Sequence, residues 1–161
     1  MSKLSALLVG LGNIGFKYDY HVPFSFDDSD SSDLIQTHCR ALACHPGFDL
    51  LGAIDISSNA RNHFTSIYKL PAFKTLSHFL NTSSIRHVDV LVIAVPSHLQ
   101  LTVLEECCSL LSLQLVLIEK PPALSEDSSE VIKALSTTYN IAVNYIRRYL
   151  PSIQLLSTLI R

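Results

Sequence analysis

Charge is scarce in this sequence. Only 16% of its 161 residues are Asp, Glu, Lys or Arg, and 14 acids against 12 bases leave a formal net charge of −2. Nucleic acid and anionic membrane surfaces attract proteins with a basic face, so neither is expected as a partner. A ligand held by backbone N–H groups makes no such demand. Long apolar runs are also missing. The richest stretch, residues 88–117, is broken by Asp89, Pro96, Glu105 and Glu106, and nothing reaches the roughly 18 residues that would suggest a spanning helix. The first apolar run, Leu4–Val9, ends at Gly10 and reads as a strand rather than a signal peptide. The expectation is a cytoplasmic protein with no membrane segment, in which the four cysteines need no disulfide framework.

Metal ligands are no better represented. The one cluster, His38-Cys39-Arg40-Ala41-Leu42-Ala43-Cys44-His45, falls in a segment expected to be helical, where side chains three or four residues apart share a face. The two histidines are 7 positions apart, about 10 Å along a helix axis at ~1.5 Å per residue. The cysteines, 5 apart, lie on different faces. Core and helix-end roles are expected for them, and no metal.

What is present is apolar and alternating. At 48% hydrophobic residues, the chain suits one well-packed domain rather than two. Strands are expected at Leu4–Val9, Asp49–Ile54, Val88–Val95, Gln114–Ile118 and Ile141–Tyr145, with a short extended piece at Pro71–Phe73. Helices are expected from a Ser32–Asp33 cap to Ala43, over Ser57–Tyr68, Leu76–Leu80, Ser97–Leu111 and Ser125–Tyr139, and from Ser152 to Arg161. Strand followed by helix throughout means crossover connections, hence an α/β fold with a doubly wound, mostly parallel sheet. The acidic, serine-rich residues 27–33 read as a solvated loop.

In such sheets ligands sit beyond the carboxyl ends of the strands. After the first strand stands Gly10-Leu11-Gly12-Asn13-Ile14-Gly15, the spacing G-x-G-x-x-G. Gly10 and Gly12 allow a tight turn and close approach to a pyrophosphate, and Gly15 allows close packing beneath the loop. The residues after Gly15 do not resemble a long helix. Asp55 ends the second strand, where a carboxylate accepts from adenosine ribose hydroxyls and repels a 2′-phosphate. That favours NAD, while Arg61 nearby softens the preference and leaves NADP open. Asp55 stands 40 residues after Gly15, against the usual spacing of about 20, so residues 16–32 read as an insertion. Lys120 follows a buried strand and precedes two prolines. Its ammonium suits proton exchange with a substrate hydroxyl during hydride transfer, although composition alone would make it a surface lysine.

The segments "VGLGNIG", "GAIDIS", "YKLPAFKTL", "VDVLVIAVPSHLQ", "IEKPPALSEDSSEVIKAL" and "VNYIRRYLP", in that order from Lys3 to Pro151, resemble the glucose–fructose oxidoreductase / inositol dehydrogenase / MocA (Gfo/Idh/MocA) family. Within it, "THCRALACHPGFDLLGAID" and "VNYIRRYLP" look most like oxidoreductases found near polysaccharide and surface-sugar gene sets. The resemblance implies a three-layer Rossmann domain over residues 1–150 that binds NAD(P). Gly10, Gly12, Asn13, Ile14, Gly15, Asp55 and Ile56 would lie along the dinucleotide, with Ala94, Val95 and Pro96 on the nicotinamide side. Glu119 and Lys120 match the family's Glu-Lys-Pro motif, and Lys120 takes its catalytic lysine role. The implied reaction is hydride transfer to or from a secondary alcohol or ketone of a sugar-like or cyclitol substrate.

Two departures from the family pattern stand out. The family's usual histidine four residues after Pro96 is Gln100 here, with His98 nearby as a substitute. The family's second α/β domain, which shapes the substrate pocket, would follow residues 151–161, read as its connecting helix. Without that domain, Ile153, Leu155, Leu156, Leu159 and Ile160 cannot all be covered, and the tail is expected to pack back, fray or drive self-association. The other reading kept open is a non-catalytic dinucleotide-binding module, a sensor or partner subunit.

Overall fold

The continuous apolar runs become the strands of one parallel sheet. The structure is a computed structural model that describes residues 2–24, 35–146 and 150–159. Its strands are β1 (Leu4–Val9), β2 (Phe48–Ile54), β3 (Ala72–Phe73), β4 (His87–Ile93), β5 (Ser112–Ile118) and β6 (Asn140–Val143). They pair in the order β3-β2-β1-β4-β5-β6, and every pairing is parallel. Helices α1 (His38–Cys44), α2 (Ser58–Tyr68), α3 (Leu76–Ser83), α4 (Ser97–Leu110) and α5 (Glu126–Ser136) make the crossovers, and α6 (Pro151–Leu159) ends the described chain.

Alternation along β1 shows why both faces need helices. Leu7 and Val9 enter one core with Phe79, Leu104 and Cys107, whereas Ala6 and Leu8 enter the other with Cys39, Phe64 and Tyr68. A strand buried on both sides reads as an unbroken apolar run. At the amino ends of the strands, Asp89 accepts from the N–H and Oγ of Ser5, each at 2.7 Å, and pairs with His87, fixing the β1–β4 register. Those bonds, the Ser5 hydroxyl foremost, hold its carboxyl below the usual range.

Three helices differ from expectation by three residues or more, and one of them, α3, runs on to Ser83 rather than ending at Leu80. α1 starts at His38 rather than near Ser32, with Thr37 as its cap and Ile35 and Gln36 outside it. The reason is a remote acceptor. The Asp19 carboxylate takes the N–H groups of Gln36 and Thr37 at 2.8 and 3.0 Å and the Thr37 hydroxyl at 2.7 Å. It thereby holds the residues just before the helix, while Thr37 Oγ1 accepts from Arg40 N–H at 3.3 Å as the local cap. Ser32 and Asp33 lie outside the described residues. α5 ends at Ser136, and Tyr139 instead turns back to donate its hydroxyl to Cys108 O at 2.7 Å.

The start of the inserted segment is packed rather than loose. Phe24 meets Tyr68 with ring centroids 4.4 Å apart, and Tyr20 stacks on His63. Arg40 donates to Val22 O and Pro23 O at 2.6 and 3.2 Å. Residues 18–24 therefore lie against α1 and α2. The remaining positions of the expected insertion, 25–32, are outside the described residues, as are Arg147 and Arg148 of the RRYLP segment and Ile160.

Candidate functional site

β1 and β4 are neighbours at the point where the strand order reverses, so a crevice opens beyond their carboxyl ends. The chain passes there with little room. Gly10 adopts φ +101°, and a Cβ on it would stand 2.5 Å from Ala94 O. A Cβ on Gly15 would stand 2.1 Å from Gly10 O. Both neighbours are backbone, so neither position admits a side chain. Gly12 differs: its nearest neighbour in that direction is Ala94 O at 4.0 Å, which leaves an open approach to the backbone.

The glycine loop opens one wide turn, Asn13–Lys17, in which Lys17 N–H reaches Gly12 O and Tyr18 N–H reaches Asn13 O. A single turn carries little macrodipole. What it offers an anion is its amides: among the described residues, nothing accepts from the N–H groups of Gly12, Asn13 or Ile14. Leu11 N–H is committed, donating to Asp55 Oδ2 at 2.7 Å, while Ser57 N–H donates to Oδ1 at 2.7 Å. Asp55 thus ties the end of β2 to the loop after β1. Two of the roughly four acceptor positions of its carboxylate remain.

These strand ends enclose a cavity of about 350 Å³, within the usual range for ligand sites. One wall is Gly10 and Gly12 with Asp55 and Ile56, and another is Ala94, Val95 and Pro96. The third, unforeseen in the sequence, comes from the face of α4 carrying Leu99, Val103, Glu106 and Cys107, and from Lys74 and Thr75 after β3. Burial pushes the Cys107 thiol up to about 12, with the Glu106 carboxylate adding to it, so Cys107 is an apolar wall and not a nucleophile.

Beyond β5 the chain is held from three sides. Glu119 Oε1 lies 2.6 Å from His38 Nε2 at the start of α1 and accepts from Asn144 Nδ2 at 2.7 Å just after β6. Burial alone would raise this carboxyl, but the His38 and Asn144 hydrogen bonds outweigh it and hold it below its ordinary value. Buried Gln100 donates through Nε2 to Pro121 O at 3.2 Å, fastening the Glu119–Pro121 segment to α4. Lys120 is exposed between these anchors.

Of the site residues expected from the sequence, Gly10, Gly12, Asp55, Ile56, Ala94, Val95 and Pro96 meet in the cavity. Asn13, Ile14 and Gly15 continue the loop beside it. His98, Glu119 and Lys120 do not line it, and His98 is exposed. Gln100, whose position is the family histidine's, is a buried anchor. His38 and Asn144 carried no sequence signal of a role beside Glu119.

The parallel order β3-β2-β1-β4-β5-β6, the glycine turn at the reversal and the acid ending β2 define a Rossmann domain. Residues 4–145 match the family model GFO_IDH_MocA, the oxidoreductase family with an NAD-binding Rossmann fold, and the chain belongs to that family. No curated protein matches the sequence. Among solved structures, the WlbA dehydrogenase from Bordetella pertussis, in complex with NADH and UDP-GlcNAcA, is 24% identical, with a TM-score of 0.73 over 98% of this chain and 42% of that one. The scyllo-inositol dehydrogenase from Lactobacillus casei, with bound NAD(H) and scyllo-inositol, is 16% identical, with a TM-score of 0.70 over 99% and 41%. KijD10, a 3-ketoreductase from Actinomadura kijaniata whose Y186F mutant was solved with TDP-benzene and NADP, is 13% identical, with a TM-score of 0.72 over 99% and 42%. The chain spans about two-fifths of each of these relatives.

Proposed function

We propose that this chain is the cofactor-binding part of an NAD(P)-dependent oxidoreductase acting on a secondary alcohol or ketone of a sugar-like or cyclitol compound. The observation that carries the reading is the meeting of the glycine loop, Asp55 and Ala94–Pro96 around one cavity at the sheet's switch point. The open face of Gly12 and the unpaired amides of Gly12, Asn13 and Ile14 fit a pyrophosphate, and the free acceptor positions of Asp55 fit ribose hydroxyls. NAD is the preferred cofactor, and NADP remains compatible.

A bound nicotinamide supplies or accepts the hydride. The chain's own contribution is to place it and to move a proton. Gly10 lets the backbone turn under the pyrophosphate, Asp55 orients the ribose, and Ala94, Val95 and Pro96 form a dry wall beside the nicotinamide. Lys120, held at the end of β5 by Glu119 and the Gln100–Pro121 contact, presents an ammonium. As the ammonium it donates a proton to a ketone oxygen that is being reduced, and as the neutral amine it takes up the proton of an alcohol that is being oxidised. The substrate pocket and the groups assisting Lys120 come, in this reading, from a second domain. The setting proposed is cytoplasmic; no described helix is long and apolar enough to cross a membrane.

Calorimetric titration of the chain with NADH tests the reading, with Asp55→Ala as the comparison. Saturable binding weakened at least about tenfold in the variant is expected, which is about 1.4 kcal/mol. Absence of binding to the unaltered chain at millimolar NADH would overturn it.

A further inference from the structure

Two charged groups on the cavity wall have no part in the proposed function. Lys74 follows β3 directly, and β3 lies beside β2 with Ala53 opposite Ala72 and Ile54 opposite Phe73. Asp55 N–H continues the ladder to Phe73 O at 3.0 Å. Lys74 is therefore the residue next to Asp55 on the neighbouring strand line, where parallel strands run about 4.8 Å apart, and both border the cavity. Glu106 stands on the α4 wall.

The cations near the end of β2 differ in their commitments. Arg61, the one suggested by sequence, donates through Nη1 to Asp55 O at 2.7 Å and Ile56 O at 2.9 Å, and it does not line the cavity. Lys74 is exposed, and among the described residues no hydrogen bond or ion pair engages its ammonium. The Asp55 carboxylate already receives Leu11 N–H and Ser57 N–H, which spreads its charge onto two amides and weakens its repulsion of another anion.

We propose that Lys74 is the anion-recognition group of the adenosine end, and that it lets this domain accept the 2′-phosphorylated dinucleotide NADP(H) as well as NAD(H). The proposal rests on the cofactor reading above and deepens it. A carboxylate that accepts from the ribose 2′-hydroxyl stands where a 2′-phosphate projects. An ammonium on a four-carbon stem, one strand away, reaches that phosphate as a point charge without needing the planar geometry of arginine. With the unphosphorylated cofactor Asp55 does the work and Lys74 stays in solvent; with the phosphorylated one Lys74 offsets the repulsion from Asp55.

The test is calorimetric titration of the chain, and of Lys74→Ala and Lys74→Gln, with NADH and NADPH. The unaltered chain is expected to bind NADPH within about tenfold of NADH. Both variants should weaken NADPH by about tenfold or more and NADH by less than about twofold, and the NADPH effect should shrink in high salt. Because Lys74 is exposed, urea midpoints are expected to match and serve as the folding check. NADH binding without NADPH binding overturns the proposal and leaves the cofactor reading standing. So do variants that shift both cofactors equally or neither. Failure of the unaltered chain to bind either cofactor overturns both.

Discussion

Removing the Asp19 carboxylate should be the most damaging single polar change in this domain. Asp19 is 1% exposed and Arg40 2%. The carboxylate accepts three hydrogen bonds, from Gln36 N–H, Thr37 N–H and Thr37 Oγ1, and lies 3.9 Å from Arg40 Nε, which has no hydrogen-bond partner of its own. Asp19→Ala leaves the buried amide and hydroxyl of Thr37 and the part-buried amide of Gln36 without their acceptor, and a buried guanidinium without its counter-charge. Breaking a buried pair from one side costs about 3–5 kcal/mol, out of the roughly 5–15 kcal/mol that stabilises a domain. With a urea slope of about 2 kcal/mol per M, a loss of 3 kcal/mol lowers the unfolding midpoint by about 1.5 M. The assay is urea denaturation followed by far-ultraviolet circular dichroism. Arg40→Met in the same chain removes the orphaned charge, so the double variant should lose less than the sum of the two singles, by about 1 kcal/mol or more. A midpoint for Asp19→Ala within about 0.3 M of the unaltered chain, or strict additivity in the double variant, would refute the reasoning.

Gly15→Ala drives a Cβ to 2.1 Å from Gly10 O, so it should cost about 1–3 kcal/mol or more and abolish NADH binding; unchanged urea midpoint and binding would contradict the tight packing beneath the loop. Glu119 is held below the ordinary glutamate value of 4.5, mainly by His38 and Asn144 against the opposing effect of burial. Its stabilisation is therefore complete above pH 4.5 and lost as pH falls through the lower value of the folded state, and the stability gap between the unaltered chain and Glu119→Gln, about 1.5 kcal/mol near neutrality, should narrow as urea midpoints are taken progressively below pH 4.5. Joined to a family substrate domain, Lys120→Ala should lower kcat by about 10²–10⁴ with NADH affinity nearly unchanged; full turnover would remove the acid–base role. On α6, Leu155, Leu156 and Leu159 are 61%, 52% and 73% exposed, so light scattering should show mass rising above the 17.8 kDa monomer with concentration, and Leu155→Glu/Leu159→Glu should reverse it.

What the sequence disclosed followed from local physics. The carboxyl-terminal halves of β1 and β4 are unbroken apolar runs because both of their faces are covered, and Gly10 and Gly15 announce themselves because a Cβ on the first would meet Ala94 O and one on the second Gly10 O. What it concealed depends on contacts between distant segments. The start of α1 combines the local Thr37 cap with the contacts of Asp19, 17 residues before Gln36, and that second, remote hold has no local signal. The pairing of His38 with Glu119 joins positions 81 apart. Lys74 becomes a neighbour of Asp55 only through the β2–β3 register. The α4 wall was the more accessible omission: Leu99, Val103, Glu106 and Cys107 recur at helical spacing on one face, beside a strand end already expected to matter.

The central claim is that a dinucleotide lies in the cavity between the glycine loop, Asp55 and Ala94–Pro96. Amide chemical-shift mapping of the isotopically labelled chain during titration with NAD⁺ tests it most directly. The account predicts saturable changes concentrated at residues 10–15, at Asp55 and Ile56, and at Ala94 and Val95, with α5 and α6 largely unaffected. Saturable changes confined to any other surface, or none at millimolar NAD⁺, would contradict it.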